Sequence, residues 1–129
     1  MLLPVFLINE NIKRIILTSG KVYYELKKYR DDNKIKDSAI IRIEQYYPLP
    51  KNELVELISS YKKFDKIVWM QEEPANMGAM QFMKIRLNDL FAGKKVEYVS
   101  RKSSPSPAPG SYKIWTETQK QIIEKAFSV

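Results

Sequence analysis

Short apolar runs alternate along this chain with longer segments in which apolar residues recur every three or four positions. The runs are rich in isoleucine and valine and lack the in-out alternation of a half-exposed strand, which indicates strands buried on both faces. Four such strands are predicted, at residues 14–19, 39–43, 66–70 and 96–99. The polar stretch Gln71 to Pro74 is expected to close the third strand.

Each predicted strand is followed by a segment with helical spacing. Gly20 permits a sharp turn into the first helix, Pro50 suits the first turn of the second, and the third is expected to begin at Gly78 and to end at Gly93. The predicted inward positions of the four helices are Val22, Tyr23, Leu26 and Tyr29; Leu54, Leu57, Ile58 and Tyr61; Ala79, Phe82, Met83, Leu87 and Leu90; and Gln119, Ile122, Ile123, Ala126 and Phe127.

This strict alternation predicts an α/β fold, a three-layer, doubly wound and mainly parallel sheet with helices on both faces. Residues 13–129 are expected to form that domain. Residues 1–12 are expected to be either an edge strand, with Val5 to Ile8 as its apolar part, or the remnant of an interdomain linker.

The composition limits the chemistry that the chain can perform. It has 129 residues, the usual length of one domain, and contains neither cysteine nor histidine. Thiolate zinc sites, cysteine nucleophiles and serine–histidine triads are therefore excluded, which favours one part of an enzyme over a whole one. The apolar start, residues 1–8, is far shorter than the ~20 residues of a bilayer span and lacks a basic leader, so no membrane partner is predicted.

The charge balance favours anionic partners. Lysine and arginine total 22 against 15 acidic residues, a net charge of +7, which suits phosphates, nucleotides or an acidic protein face. The basic and aromatic stretch from Lys21 to Arg30 is similar in composition to a nucleic-acid surface. Because its apolar residues have helical spacing, the better interpretation is a core stripe with solvated lysines, and no nucleic-acid partner is predicted.

Residues at the carboxyl ends of the strands are the candidates for a binding site, because open α/β sheets bind ligands at that edge. The turn from Thr18 to Lys21 is either a phosphate cradle on helix amides or simply a tight turn, since it lacks the spacing of a P-loop. Glu72 and Glu73, with Glu44 nearby, are either acid/base or cation-holding carboxylates or structural groups that hold a strand end.

Four segments carry more than a pattern: RIILTSGKVYYEL, AIIRIEQYYPLP, KIVWMQEEPANMGAM and YVSRKSSPSPAPGSY. In this order and at these separations they closely resemble the C-terminal domain of the first, decarboxylating component of 2-oxoglutarate dehydrogenase. The resemblance extends from about Val5 to Phe127. It implies a domain like the C-terminal domain of transketolase-type enzymes, which packs against the catalytic domains and helps to build the dimer.

The resemblance also implies what the assembled enzyme does. Full-length members depend on thiamine diphosphate and magnesium, decarboxylate 2-oxoglutarate oxidatively and pass the succinyl group to the lipoyl arm of the second component, in the bacterial cytoplasm or the mitochondrial matrix. This domain is expected to supply no catalytic, cofactor-binding or metal-binding residue. Its expected partners are the remaining domains of its own chain, a homodimer partner and the second component.

Several positions depart from the family pattern, among them Lys102 and Pro105, which replace a proline and an alanine of the usual RPxSASPAxG. Met77 and Met80 replace a glutamine and a tryptophan in the usual EEPxNQGAW, which weakens a role in polar contacts there, and Trp115 replaces a histidine, which argues against an ionic role. The interface or ligand candidates are Arg101, Lys102, Ser104, Ser106, Glu72, Glu73 and Lys21.

Arg101 is expected to contact a phosphate or carboxylate in the assembled enzyme, with Ser104 and Ser106 as supporting donors on the proline-rich loop from Ser103 to Gly110. The alternative is that the prolines merely carry the chain across the surface to the last helix. The alternative function is a free-standing module that binds a nucleotide or acyl-coenzyme A as a regulator. The sequence upstream of this chain would distinguish the two, because the first requires several hundred residues with a thiamine diphosphate motif.

Overall fold

A computed structural model describes residues 2–4, 11–44, 49–103 and 112–129 of the chain. Within these ranges, strands and helices alternate after a short initial strand. In chain order they are β1 (Leu2–Pro4), β2 (Arg14–Thr18), α1 (Val22–Asp32), β3 (Ser38–Ile43), α2 (Lys51–Ser59), β4 (Lys66–Pro74), α3 (Met80–Leu90), β5 (Lys95–Arg101) and α4 (Tyr112–Ala126).

The strands form one sheet in the order β1-β3-β2-β4-β5. The central strand β2 is parallel to both of its neighbours, with Ile16 opposite Ile40 of β3 and Val68 of β4. Strand β5 is parallel to β4, whereas β1 is antiparallel to β3. The predicted mainly parallel α/β sheet is therefore confirmed.

The chain reverses its direction of travel across the sheet after β3. It steps from β2 to β3, then returns past β2 to build β4 and β5 on the other side. The gap between the carboxyl ends of β2 and β4 is thus the topological switch point, where doubly wound folds bind ligands.

Successive side chains of the parallel strands enter different cores, because side chains alternate across a strand. Ile15 and Leu17 of β2 lie in the core on the α2/α3 face, whereas Ile16 lies in the core on the α1/α4 face. Nearly all predicted inward positions of the helices are buried or partly buried in one of these two cores. Two cores on opposite faces of one sheet confirm the three-layer arrangement.

The basic stretch in α1 has the arrangement of a core-facing helix. Val22, Tyr23 and Leu26 are buried, whereas Lys27 and Lys28 are exposed. Among the helices that the structure describes, none has the length and apolar character that a bilayer span requires.

The predicted end of the third strand is wrong. Strand β4 does not end at Met70 but continues to Pro74, with an irregular register to β5 between these two residues. Helix α4 begins at Tyr112, two turns before its first predicted inward residue, Gln119. Val5 to Ile8, where an edge strand or linker remnant is predicted, lies outside the described residues, and the division of the chain after residue 12 stays a prediction.

Candidate functional site at the carboxyl edge of the sheet

A side chain from α4 closes the topological switch point. Gln119 is buried, and its Nε2 donates hydrogen bonds to Oε2 of Glu25 on α1 at 2.5 Å and to Oε1 of Glu72 on β4 at 2.7 Å. Because α1 follows β2 directly, these two bonds connect the two sides of the gap. The crevice in which other doubly wound folds hold a ligand is here bridged by the chain itself.

Arg101 at the end of β5 extends this network from the other side. Its Nη2 donates to Oε1 of Gln119 at 2.5 Å, and its Nη1 donates to the hydroxyl of Thr118. The guanidinium carbon lies 3.8 Å from the centroid of the Trp115 ring, a cation–π contact. Trp115 therefore interacts with a cation through its ring, without the ionic chemistry of a histidine.

Only 7% of the Arg101 surface is exposed, and its Nε has no hydrogen-bond partner among the described residues. Two of the three guanidinium nitrogens are thus engaged with α4. The expected contact of Arg101 with a phosphate or carboxylate of another group stays a prediction.

Burial and neighbouring carboxylates make it unfavourable for Glu72 to be ionised at this edge. Burial raises the pKa of Glu72, and the carboxylates of Glu25 and Glu73 raise it further, whereas the Gln119 hydrogen bond and Lys21 oppose them. Burial also lowers the pKa of Arg101, opposed by Glu72 and Glu25. The ionised form of Glu72 is therefore disfavoured relative to an exposed glutamate.

Gln71 organises the turn that follows. Its Oε1 accepts a hydrogen bond from the Trp69 indole at 3.0 Å, and its Nε2 lies within hydrogen-bond distance of the carbonyls of Glu73, Pro74 and Met77. The left-handed turn at Gly78 (φ +65°) follows these carbonyls directly. The side chain of Gln71 thus holds the segment from Gln71 to Gly78, and the role of Glu72 and Glu73 stays a prediction.

The structure separates the predicted carboxylate cluster. Glu44 ends β3, where it contacts the guanidinium of Arg42 and lies 3.4 Å from the Gly20 amide, whereas Glu72 turns toward α4. Glu73 is exposed. The partner carboxylate of Glu72 is Glu25, which the sequence interpretation did not include.

The predicted cations occupy different positions. Lys21 and Lys102 are exposed, and Lys21 lies close enough to Glu72 to lower its pKa, whereas Arg101 is buried. Ser104 and Ser106 lie outside the described residues. The amide of Gly20 faces the Glu44 carboxylate, which suits a tight turn, and phosphate binding there stays a prediction.

Sequence reasoning did not find Gln119 or Gln71 as site residues. Gln119 was assigned to the inward face of the last helix, and a polar residue within an apolar stripe is the signal that it needs a buried partner. The same reasoning applies to Gln71, which directly follows four apolar strand residues.

The described residues contain no group of three or more acidic side chains that could hold a metal ion. Through Gln119, the hydrogen bonds at this edge connect α1, β4, β5 and α4. These features define a class: a doubly wound α/β domain whose switch point is closed from within.

The family follows from comparison with known proteins. A family model described as "2-oxoglutarate dehydrogenase C-terminal" matches residues 6–127, and the chain belongs to this family. The chain is 44% identical over 121 residues to the oxoglutarate dehydrogenase of Buchnera aphidicola subsp. Baizongia pistaciae, covering 93% of this chain and 13% of the relative. It is 41% identical over 120 residues to the 2-oxoglutarate dehydrogenase E1 component of Haemophilus influenzae, covering 92% of this chain and 13% of the relative.

A multifunctional 2-oxoglutarate metabolism enzyme of Mycobacterium sp. (strain JLS) is 40% identical over 121 residues, which are 91% of this chain and 9% of the relative. The chain thus spans about an eighth or less of the length of these relatives. The resemblance drawn from the four sequence segments is confirmed.

Proposed function

We propose that this chain is a non-catalytic, structural part of the decarboxylating component of 2-oxoglutarate dehydrogenase. In this role it packs on the catalytic domains and supports the dimer, while thiamine diphosphate and magnesium are held by other parts of the polypeptide. The full-length enzyme decarboxylates 2-oxoglutarate and transfers the succinyl group to the lipoyl arm of the second component. The relatives are bacterial, which favours the bacterial cytoplasm over the mitochondrial matrix.

The observation that carries this proposal is the closed switch point. A catalytic or cofactor site in a doubly wound fold needs an open crevice with unpaired polar groups. Here the crevice is bridged by Gln119, whose amide donates to the carboxylates of Glu25 and Glu72 and accepts from the guanidinium of Arg101. The chain also lacks histidine and cysteine, so the residues at this edge offer little for acid/base or nucleophilic work.

The experiment uses the purified 129-residue chain. We expect titration calorimetry with thiamine diphosphate and Mg²⁺ to give no binding heat, and we expect no release of carbon dioxide from 2-oxoglutarate. Appreciable turnover by the chain alone would contradict the proposal. Tight binding of the cofactor by the chain alone would contradict it as well.

A second candidate function is the binding of a nucleotide or acyl-coenzyme A as an effector. The favouring observation is that Lys21 and Lys102 are both exposed at the carboxyl edge, where they can meet phosphate groups. We expect equilibrium dialysis with AMP or acetyl-coenzyme A to show binding that Lys102→Ala weakens, with Lys113→Ala of α4 as the control. Equal binding by both variants would remove this candidate.

A further inference from the structure

The two halves of α4 differ in what they cover. From Gln119 onward the helix buries side chains in the core against the sheet, whereas none of the described residues from Tyr112 to Thr118 is classed as buried. Tyr112 is 84% exposed and Ile114 is 51% exposed. Two turns of helix thus present large apolar side chains to solvent.

This surface continues into a groove between α1 and α4 with a volume of about 420 Å³. We call it the α1/α4 groove; its lining includes the apolar side chains of Tyr29, Tyr112, Trp115 and Ile123 and the charged side chains of Glu25, Lys28, Asp32 and Lys120. Of its apolar side chains, Tyr112 is exposed, Tyr29 and Trp115 are partly exposed, and Ile123 is buried.

The floor of the groove is held rigidly from below. The Trp115 ring lies against the guanidinium of Arg101, which is itself bonded to Gln119. Tyr29 stacks on Phe127 with ring centroids 5.2 Å apart. A prearranged aromatic surface loses little side-chain freedom when a partner covers it, as in the centres of protein interfaces.

The charges of the groove point to a protein surface as the occupant. Two lysines and two carboxylates lie among the lining residues, a mixture that suits neither a nucleic acid nor an anionic membrane, both of which require a basic surface. The part of the polypeptide outside the match amounts to most of the length of each relative, and the match lies at the C-terminal domain.

We propose that the α1/α4 groove and the first two turns of α4 are the surface on which the preceding part of the same polypeptide docks. This inference rests on the proposed function and adds the location of the interface. Tyr112 and Ile114 are its apolar anchors, and Trp115 forms its floor.

The experiment compares variants of the full-length polypeptide that carries this domain. Tyr112→Ser with Ile114→Ser removes the apolar anchors, and Ile85→Ser on α3 is the matched control, because Ile85 is 61% exposed but lies on the opposite face of the sheet. We expect a protease to cleave the double variant on the N-terminal side of residue 13 about tenfold faster than the wild type. The reason is that less apolar area is buried at the interface. The control should be cleaved at the wild-type rate.

The same double variant is then placed in the 129-residue chain alone. There its thermal midpoint should match that of the unsubstituted chain, since these side chains have no partner domain to lose. Equal cleavage of the double variant and the control in the full-length polypeptide would overturn the inference. A lowered midpoint in the 129-residue chain would overturn it too, because the groove would then be covered from within.

Sedimentation of the 129-residue chain distinguishes a second copy as the occupant. A dimer that the double variant abolishes would assign the groove to self-association and would contradict the inference. Failure of the proposed function gives a different result, since deletion of residues 13–129 would then leave the full-length enzyme active and assembled.

Discussion

At Glu72, burial and two neighbouring carboxylates act against one amide hydrogen bond and one lysine, and the pKa is raised. An acid whose pKa is raised on folding binds protons more readily in the folded state. Its contribution to stability is therefore fully present below the ordinary glutamate pKa of about 4.3 and is lost as the pH rises through the folded pKa.

Glu72→Gln removes this pH dependence while its amide oxygen can still accept the Gln119 hydrogen bond. We expect the variant to be more stable than the parent at pH 7 and to lose less stability between pH 4 and 8, measured by urea unfolding. Glu56→Gln, an exposed change on α2, is the control and should leave the profile unchanged. A Glu72→Gln profile parallel to that of the parent would show that the carboxylate is not disfavoured.

Alanine substitutions at Gly78 and Gly20 distinguish the cost of backbone strain from the cost of steric contact. Both have a left-handed φ, +65° and +78°, but a Cβ at Gly78 would lie 3.2 Å from the Glu73 carboxyl and 3.3 Å from Gln71 Nε2, whereas a Cβ at Gly20 meets nothing within 4 Å. Gly20→Ala should cost about 1–2 kcal/mol from φ alone. Gly78→Ala should cost more, because Gln71 is held by three carbonyls and cannot move freely.

Chemical denaturation of the two glycine variants provides the measurement. An equal loss of stability in both would show that the turn at Gly78 can adjust to a methyl group. The Gln71 network would then be looser than its hydrogen bonds indicate.

At the scale of single elements, α3 is held by its inward residues. Leu87 is fully buried in the core between the sheet and α2/α3, so Leu87→Ala should lower the free energy of unfolding by about 2–5 kcal/mol through lost burial and a residual cavity. Ile85→Ala on the exposed face of the same helix should change it by less than about 0.5 kcal/mol. Unfolding midpoints that fall equally in both variants would contradict the assigned helix phase.

The positions of the strands and of the buried helix faces could be predicted because continuous apolar runs and helical spacing follow directly from burial. The end of β4 and the start of α4 were harder to predict, because there the pattern of apolar residues stops while the strand or helix continues. Strand β4 runs on through Gln71, a buried polar residue whose side-chain NH2 group donates to carbonyls near the following turn and whose oxygen accepts from Trp69. The first two turns of α4 have no buried face in this domain, so their apolar residues do not show the helical spacing that would predict a helix.

At the scale of the whole molecule, the sequence predicts which edge of the sheet carries the candidate site, but not that Gln119 closes it. Arg101, Glu72 and Lys21 were placed correctly at the carboxyl ends of parallel strands, since that edge follows from the order of strands and helices. Gln119 closes the edge through hydrogen bonds to residues that lie 47 and 94 positions away in the sequence, and no local pattern encodes such bonds. The same limit explains why Glu44 was chosen as a partner of Glu72 instead of Glu25.

The closed edge and the α1/α4 groove are adjacent, because Glu25 and Gln119 belong to both. At the edge, Arg101 and Glu72 bond to Gln119, and beside it the exposed apolar side chains of Tyr112 and Ile114 lie at the start of α4. Both features support the proposal that other domains of the polypeptide cover this one.

The most direct test of this account is the rate of 2-oxoglutarate decarboxylation by a full-length polypeptide from which residues 13–129 have been deleted, measured with and without the 129-residue chain added back. The account predicts that the deletion lowers the rate together with dimer assembly, and that the added chain, inactive alone, restores both. Wild-type activity of the deleted polypeptide without the added chain would contradict the account.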